Sequence, residues 1–236
     1  MTLEVIVPVM RNSIDLFGVE MQVRYGVTII DNVGTNRGVI QSYQLGYEQS
    51  NADILAFIHD DVTIYEENWK DRVLAEFVDE RTGVVGFGGA KSHGVDVIYK
   101  VPYDYKQLAR ADYMSNTDDA ENHGTRFSGS TEVAVLDGFC LIVRRELLDR
   151  VGGWPVDRYP PHHNYDYWLC CVAHQLGYQV RLVGVRCQHH GGLTATTGEY
   201  LKWCRSTRWG SDEEMHKQGH RLIYDDFRSV LPWRCL

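Results

Sequence analysis

Ile54-Leu55-Ala56-Phe57-Ile58-His59-Asp60-Asp61 decides the fold, because five apolar residues run straight into an imidazole and two adjacent carboxylates. A short, wholly apolar run of this kind predicts a strand buried on both faces. Two neighbouring carboxylates at the end of such a strand are costly unless something positive neutralises them. A hard divalent cation with oxygen ligands meets that need, and a nearby imidazole shifts the choice toward Mn2+ over Ca2+.

Working outward, the run 3–9 (Leu-Glu-Val-Ile-Val-Pro-Val) and Val27-Thr28-Ile29-Ile30 have the same strand character, and the second ends in Asp31-Asn32. Gly34-Thr35-Asn36-Arg37-Gly38 is rich in turn formers and feeds a helix over about 38–50. Downstream, Trp69, Val73, Leu74, Phe77 and Val78 recur at helical spacing, with Glu66 and Glu67 in the first turn. Val84-Val85-Gly86-Phe87 reads as a fourth strand. Strands alternating with helices of this length predict an α/β chain with a mainly parallel central sheet flanked by helices. In such a sheet the ligand crevice lies outside the carboxyl ends of the strands, where Asp31 and His59-Asp60-Asp61 fall.

Residues 92–130 break the rhythm. They are polar, rich in Tyr, Asp, Asn and Gly, and are expected to form a long insertion or acceptor-side loop. The rhythm resumes with a strand to Leu136, Asp137-Gly138, an apolar strand over 139–143, and a helix over 145–151 closed by Gly152-Gly153. Asn164 or Asp166 is placed to cap a helix running to His174 or Gln175, with Gly177 as its stop. Tyr178 to Cys187 reads as a last strand, followed by His189-His190-Gly191-Gly192. His189 or His190 is the candidate third ligand of the metal. Helix candidates near 199–206 and 211–217 lie in a tail of mixed charge.

The chain has 236 residues, with Lys+Arg 24 and Asp+Glu 32 leaving a net charge of -8. That balance argues against a protein devoted to gripping polyanions. No basic leader, no apolar stretch of ~18 residues and no CxxC pair occurs, so the expectation is a cytoplasmic protein with reduced thiols and no integral membrane association. The 14 Tyr and 6 Trp against 7 Phe suit surfaces that bind half-polar groups such as sugar rings.

The order of these elements resembles a GT-A (Rossmann-like) nucleotide-sugar glycosyltransferase, most similar to the family 2 group. The likeness runs from Val5-Ile6-Val7-Pro8 through Ile29-Ile30-Asp31-Asn32, Asn36-Arg37-Gly38 and Phe57-Ile58-His59-Asp60-Asp61-Val62 at the DXD position. It continues over 136–146, Val151-Gly152-Gly153-Trp154, Asn164-Tyr165-Asp166 and Gln188-His189-His190-Gly191-Gly192. The resemblance implies a single GT-A domain over 1–197, with 198–236 as a tail packing on or closing over the site. It implies Pro8, Asp31 and Asn36 on the nucleotide, with Asp60 on the sugar or ribose. It also implies Asp61 as principal metal ligand, joined by His189 and His59 with His190 as the alternative, and Asp137 and Trp209 on the sugar or acceptor side. Asp166 takes the position of the catalytic base. The implied cofactor is Mn2+ or Mg2+, the implied donor a nucleotide-diphosphate sugar. The acceptor is a hydroxyl on a glycan, protein, small molecule or modified nucleic acid.

Two departures stand out. His59 occupies the first DXD position, so the metal shell is thinner or includes the imidazole. Arg205-Ser206-Thr207-Arg208-Trp209 resembles the QxxRW segment of processive members with Arg in place of Gln, and offers Arg208, or Arg205, to the donor pyrophosphate. Rival readings are a nucleotidyltransferase, disfavoured because Met10-Arg11-Asn12-Ser13 lacks glycine, and a non-catalytic sugar- or nucleotide-binding module. A transferase acting on nucleic acid through Lys202, Arg205, Arg208, Lys217 and Arg221 is a third.

Overall fold

The computed structural model describes residues 1–9, 27–32, 35, 37–94, 110–118, 124–191 and 198–235. Asn36 and parts of the 92–130 segment lie outside the described residues. In chain order the elements are β1 (Leu3–Val9), β2 (Val27–Asp31), α1 (Val39–Gln49), β3 (Ile54–Ile58), β4 (Val62–Ile64), α2 (Trp69–Glu76), β5 (Thr82–Gly86) and β6 (Gly88–His93). Next come β7 (Arg110–Ser115), β8 (Thr125–Arg126), β9 (Ser130–Glu132), β10 (Val135–Leu136), β11 (Cys140–Arg144), α3 (Arg145–Val151) and α4 (Tyr165–Gln175). The chain closes with β12 (Gln179–Val183), β13 (Cys187–His189), α5 (Gly198–Ser206), α6 (Asp212–Phe227) and β14 (Trp233–Arg234).

The central sheet has the order β2-β1-β3-β11-β5-β12-β9. Strands β2, β1 and β3 run parallel, as do β5 and β12. Between these groups β11 runs antiparallel to both β3 and β5, so the sheet is mixed around parallel core strands. The reversal matters for the site. An antiparallel β11 begins at the edge where β3 ends, pairing Cys140 with Ile58, and so brings Asp137 to the same edge as His59.

Alternation along the strands sorts side chains onto two faces. Ile6, Leu55, Phe57, Val84, Leu141 and Leu182 pack on one face under residues of α1, α3, α4 and α6. Val5, Val7, Ile54, Ala56, Val85 and Ile142 pack on the other with Trp69 and Val73 of α2 and Phe77 at its C-terminal end. Strand β3 is buried at every position, as its unbroken apolar run requires.

Four readings shift. The polar segment after 92 contributes strands among its described residues: β7 pairs antiparallel with β6, and β8 pairs with β7. Their alternation is hidden because Arg110, Asp112 and Ser115 occupy strand positions. The last strand divides at Gly184, where a Cβ would lie 1.9 Å from the Phe127 carbonyl oxygen. Beyond that point β13 leaves the main sheet and pairs with β4. Val78 is 75% exposed because α2 ends before it. Helix α6 is longer than expected, opened by a capping box of Ser211 and Glu214 and carried through Gly219.

Helix α1 sits on β1 through a glycine. A Cβ at Gly46 would lie 2.4 Å from Cγ2 of Ile6, a stiff β-branched side chain in the core. Gly46→Ala is therefore expected to destabilise the protein by about 1–3 kcal/mol through overpacking, read as a lower urea midpoint.

Candidate active site

Three side chains converge just past the end of β3. His59, Asp61 and His189 each offer one ligand atom, and these atoms lie within 4.8 Å of one another. His59 and Asp61 arrive on the turn leaving β3. His189 arrives by sheet pairing: β13 runs antiparallel to β4 with His189 opposite Val62, and the His190 N–H donates to the Asp61 carbonyl at 3.0 Å. That register places His189 Nε2 3.5 Å from Asp61 Oδ1. His190 is exposed and holds the strand pair by its backbone. The His189 ring stacks on Phe139 at 4.9 Å.

The electrostatics of the group are asymmetric. Burial would raise the Asp61 carboxyl, yet the two histidines hold it below the usual carboxylate range. Burial, with His189 beside it, lowers His59 to about 4, so its ring is neutral at physiological pH. Asp61 Oδ1 is sealed from solvent and has no hydrogen-bond partner. A buried anionic oxygen whose approach from His189 Nε2, at 3.5 Å, is too long for a good hydrogen bond, beside two imidazoles, is a donor set that fits a divalent cation with mixed oxygen and nitrogen ligands.

On the turn before β11, Asp137 Oδ2 accepts from Arg110 at 2.9 Å and from the Tyr113 hydroxyl at 3.4 Å. Burial works against ionisation of Asp137, but the Arg110 guanidinium dominates and its carboxyl stays low. Asp166 differs. It lies in the first turn of α4, half-buried, and Oδ1 accepts its neighbour's N–H from Tyr167 at 2.9 Å. Burial first, then the like charge of Asp137, pushes it from 3.8 up to about 6. Such a value suits a group that must accept a proton near neutral pH.

At the ends of the neighbouring strands, Pro8 is buried in β1 and Asp31 is exposed at the end of β2. The register pairs Val9 with Asp31, placing Pro8 and Asp31 at one sheet edge. Asp60 lies half-buried in the turn between His59 and Asp61. Arg208 instead donates to the Asp157 carbonyl at 2.5 Å and lies over the Trp209 ring at 4.8 Å. Trp209 packs beside Tyr200, Cys204 and Met215. Among the described residues no contact joins Arg208 or Trp209 to the His59–Asp61–His189 group. Arg110, Tyr113, Phe139 and the Tyr165 hydroxyl were not singled out from sequence. Arg110 and Tyr113 sit in the pattern-poor segment, and only Tyr165 carries a local signal, as the neighbour of Asp166.

Over residues 16–216 the sequence matches a family described as glycosyltransferase-like. The chain belongs to this glycosyltransferase-like family. No curated protein matches it in sequence. Among solved structures it is similar to GalNAc-T7 with UDP, GalNAc and Mn2+, at 12% identity and TM-score 0.62, covering 96% of this chain and 50% of that one. It is also similar to the mannosyltransferase PcManGT from Pyrobaculum calidifontis in complex with GDP-Man and Mn2+, at 15% identity and TM-score 0.51, covering 94% and 69%. S. aureus TarS 1-349 in complex with UDP-GlcNAc matches at 14% identity and TM-score 0.50, covering 97% and 74%. At these identities the likeness is one of fold, and the fold of this glycosyltransferase-like chain is GT-A.

A carboxyl raised on folding binds more protons in the native than in the unfolded state, so its contribution to stability falls as pH rises from 3.8 through about 6. Asp166→Asn should therefore gain stability over wild type across that window, by about 1–3 kcal/mol at pH 7. Urea unfolding of both proteins at pH 4 and pH 7 checks this, and an equal difference at the two pH values would refute the raised carboxyl.

Proposed function

We propose that the protein is a metal-dependent glycosyltransferase that moves a sugar from a nucleotide-diphosphate sugar to an acceptor hydroxyl with inversion. The observation that carries this reading is the His59–Asp61–His189 group, joined through the Tyr165 hydroxyl on His59 to the helix start that carries Asp166. The structural neighbours seen with nucleotide sugars, PcManGT with GDP-Man and TarS with UDP-GlcNAc, add to it.

Asp61, His189 and His59 would hold Mn2+ or Mg2+. When bound, the ion supplies positive charge to the departing diphosphate. Pro8 and Asp31 border the nucleobase, and Asp60 meets the sugar or ribose. Asp137, fixed by Arg110, presents its remaining oxygen to a sugar hydroxyl. Asp166 takes the acceptor hydroxyl proton as that oxygen forms its bond to the anomeric carbon. The bond from that carbon to the diphosphate oxygen breaks, and its electron pair leaves with the diphosphate. Direct displacement of this kind inverts the centre. Residues 1–197 make the catalytic domain, with 198–236 packed against it. None of the six cysteines, all of them described, is in a disulfide, which suits a reducing compartment such as the cytoplasm.

A panel of nucleotide sugars with Mn2+, scored by release of nucleotide diphosphate, should single out a donor. Asp166→Asn should slow that release by about 100-fold or more, and near wild-type turnover would remove Asp166 as the base. Asp61→Ala should abolish Mn2+-dependent binding of nucleotide diphosphate in calorimetry. Unchanged binding would sink the metal assignment.

A further inference from the structure

Tyr165 stands between the two halves of this site. Its ring is buried against Tyr43 at 5.6 Å and Trp154 at 6.5 Å. Its hydroxyl lies 2.7 Å from His59 Nε2 and donates to the Gly138 carbonyl at 3.4 Å. Gly138 is shaped to that oxygen, since a Cβ there would lie 2.5 Å from it. The His59 backbone is tied to the same turn, its N–H donating to the Phe139 carbonyl at 3.0 Å. Tyr165 is also the residue immediately before Asp166 at the start of α4.

A hydroxyl has one proton to give. If that proton goes to the Gly138 carbonyl, the phenol oxygen accepts from His59 and the imidazole carries its proton on Nε2. We propose that Tyr165 is a positioning residue for the metal centre: its hydroxyl receives the Nε2–H of His59 and leaves Nδ1 as the lone-pair atom for the ion. The inference rests on the metal reading above and deepens it. A histidine ligand whose second nitrogen is anchored keeps its orientation and its basicity, and loss of such an anchor typically weakens metal binding about 10–100-fold. The same hydroxyl makes the helix that carries Asp166 part of the metal centre's outer shell.

Tyr165→Phe removes only the hydroxyl. Mn2+ alone is titrated into wild type, Y165F, H59A and the H59A/Y165F double variant, with free Mn2+ followed by electron paramagnetic resonance. Metal-free thermal melting checks that each protein is folded. The expected result is about 10–100-fold weaker binding in Y165F, with no further weakening when Y165F is added to H59A. Binding by Y165F equal to wild type overturns the inference and leaves the metal reading standing. An equal loss in both backgrounds overturns it as well, because the effect then bypasses His59. Wild type that takes up no Mn2+ overturns both.

Discussion

Asp61 holds a carboxylate oxygen away from water with no hydrogen bond to it, and much of the surrounding architecture follows from that constraint. An unsatisfied buried acceptor costs about 1–3 kcal/mol, and more when it is charged. The nearest groups do not remove the problem. His189 Nε2 stands 3.5 Å away, and His59 is neutral above about 4, so its ring brings a lone pair rather than a charge. A site built from one ionised carboxylate and lone-pair donors is complementary to a cation. The chain reaches it by an unusual route in which the pairing of β13 with β4 fixes His189 against the turn that carries Asp61.

The second constraint is the separation of two acids. Asp137 and Asp166 both face burial, yet one is held low and the other is pushed up to about 6. The difference comes from Arg110, whose guanidinium donates to Asp137 at 2.9 Å, while Asp166 has a backbone N–H of its own neighbour and the repulsion of Asp137. Pairs of titratable groups driven apart in this way divide the work between a fixed anion and a proton acceptor. Topology supplies the proximity: because β11 is antiparallel, the Asp137 turn enters at the edge from which β3 leaves.

Much of this was legible in the residues. Ile54 to Ile58 declares a strand buried on both faces, and its abrupt end in His59-Asp60-Asp61 marks the ligand edge. Gly152 and Gly177, both at φ +80, were legible as helix stops because left-handed backbone favours glycine. What was not legible depends on non-local pairing. Nothing in Arg110-Ala111-Asp112-Tyr113 announces a strand, since Asp112 itself adopts φ 59 and the alternation is broken. The choice between His189 and His190 is a matter of strand register, set by partners more than a hundred residues away. The reversed direction of β11 is likewise invisible to periodicity, which reads an apolar strand the same way in either sense.

The C-terminal segment shows why Asp166 cannot be understood from its own helix. Asn164 precedes α4 with φ 63, a left-handed conformation that Asn tolerates better than other residues with a side chain, and its buried amide makes no hydrogen bond. Strain of that kind persists only where neighbours over-determine it. The neighbours are on α6. Gly219 approaches so closely that a Cβ there would lie 2.0 Å from Asn164 Oδ1. His163 Nε2 meets Asp212 Oδ1 at 2.7 Å, and Asp226 accepts from Tyr159 at 2.7 Å and from Arg158 at 2.5 Å. These contacts clamp the chain on the approach to Asp166, from Arg158 to Asn164. Ile223 and Phe227 of the same helix are part of the main core. The tail is thus a wall against which the start of α4 is set, and Gly219 is the position on α6 where only a missing side chain lets the two segments approach so closely.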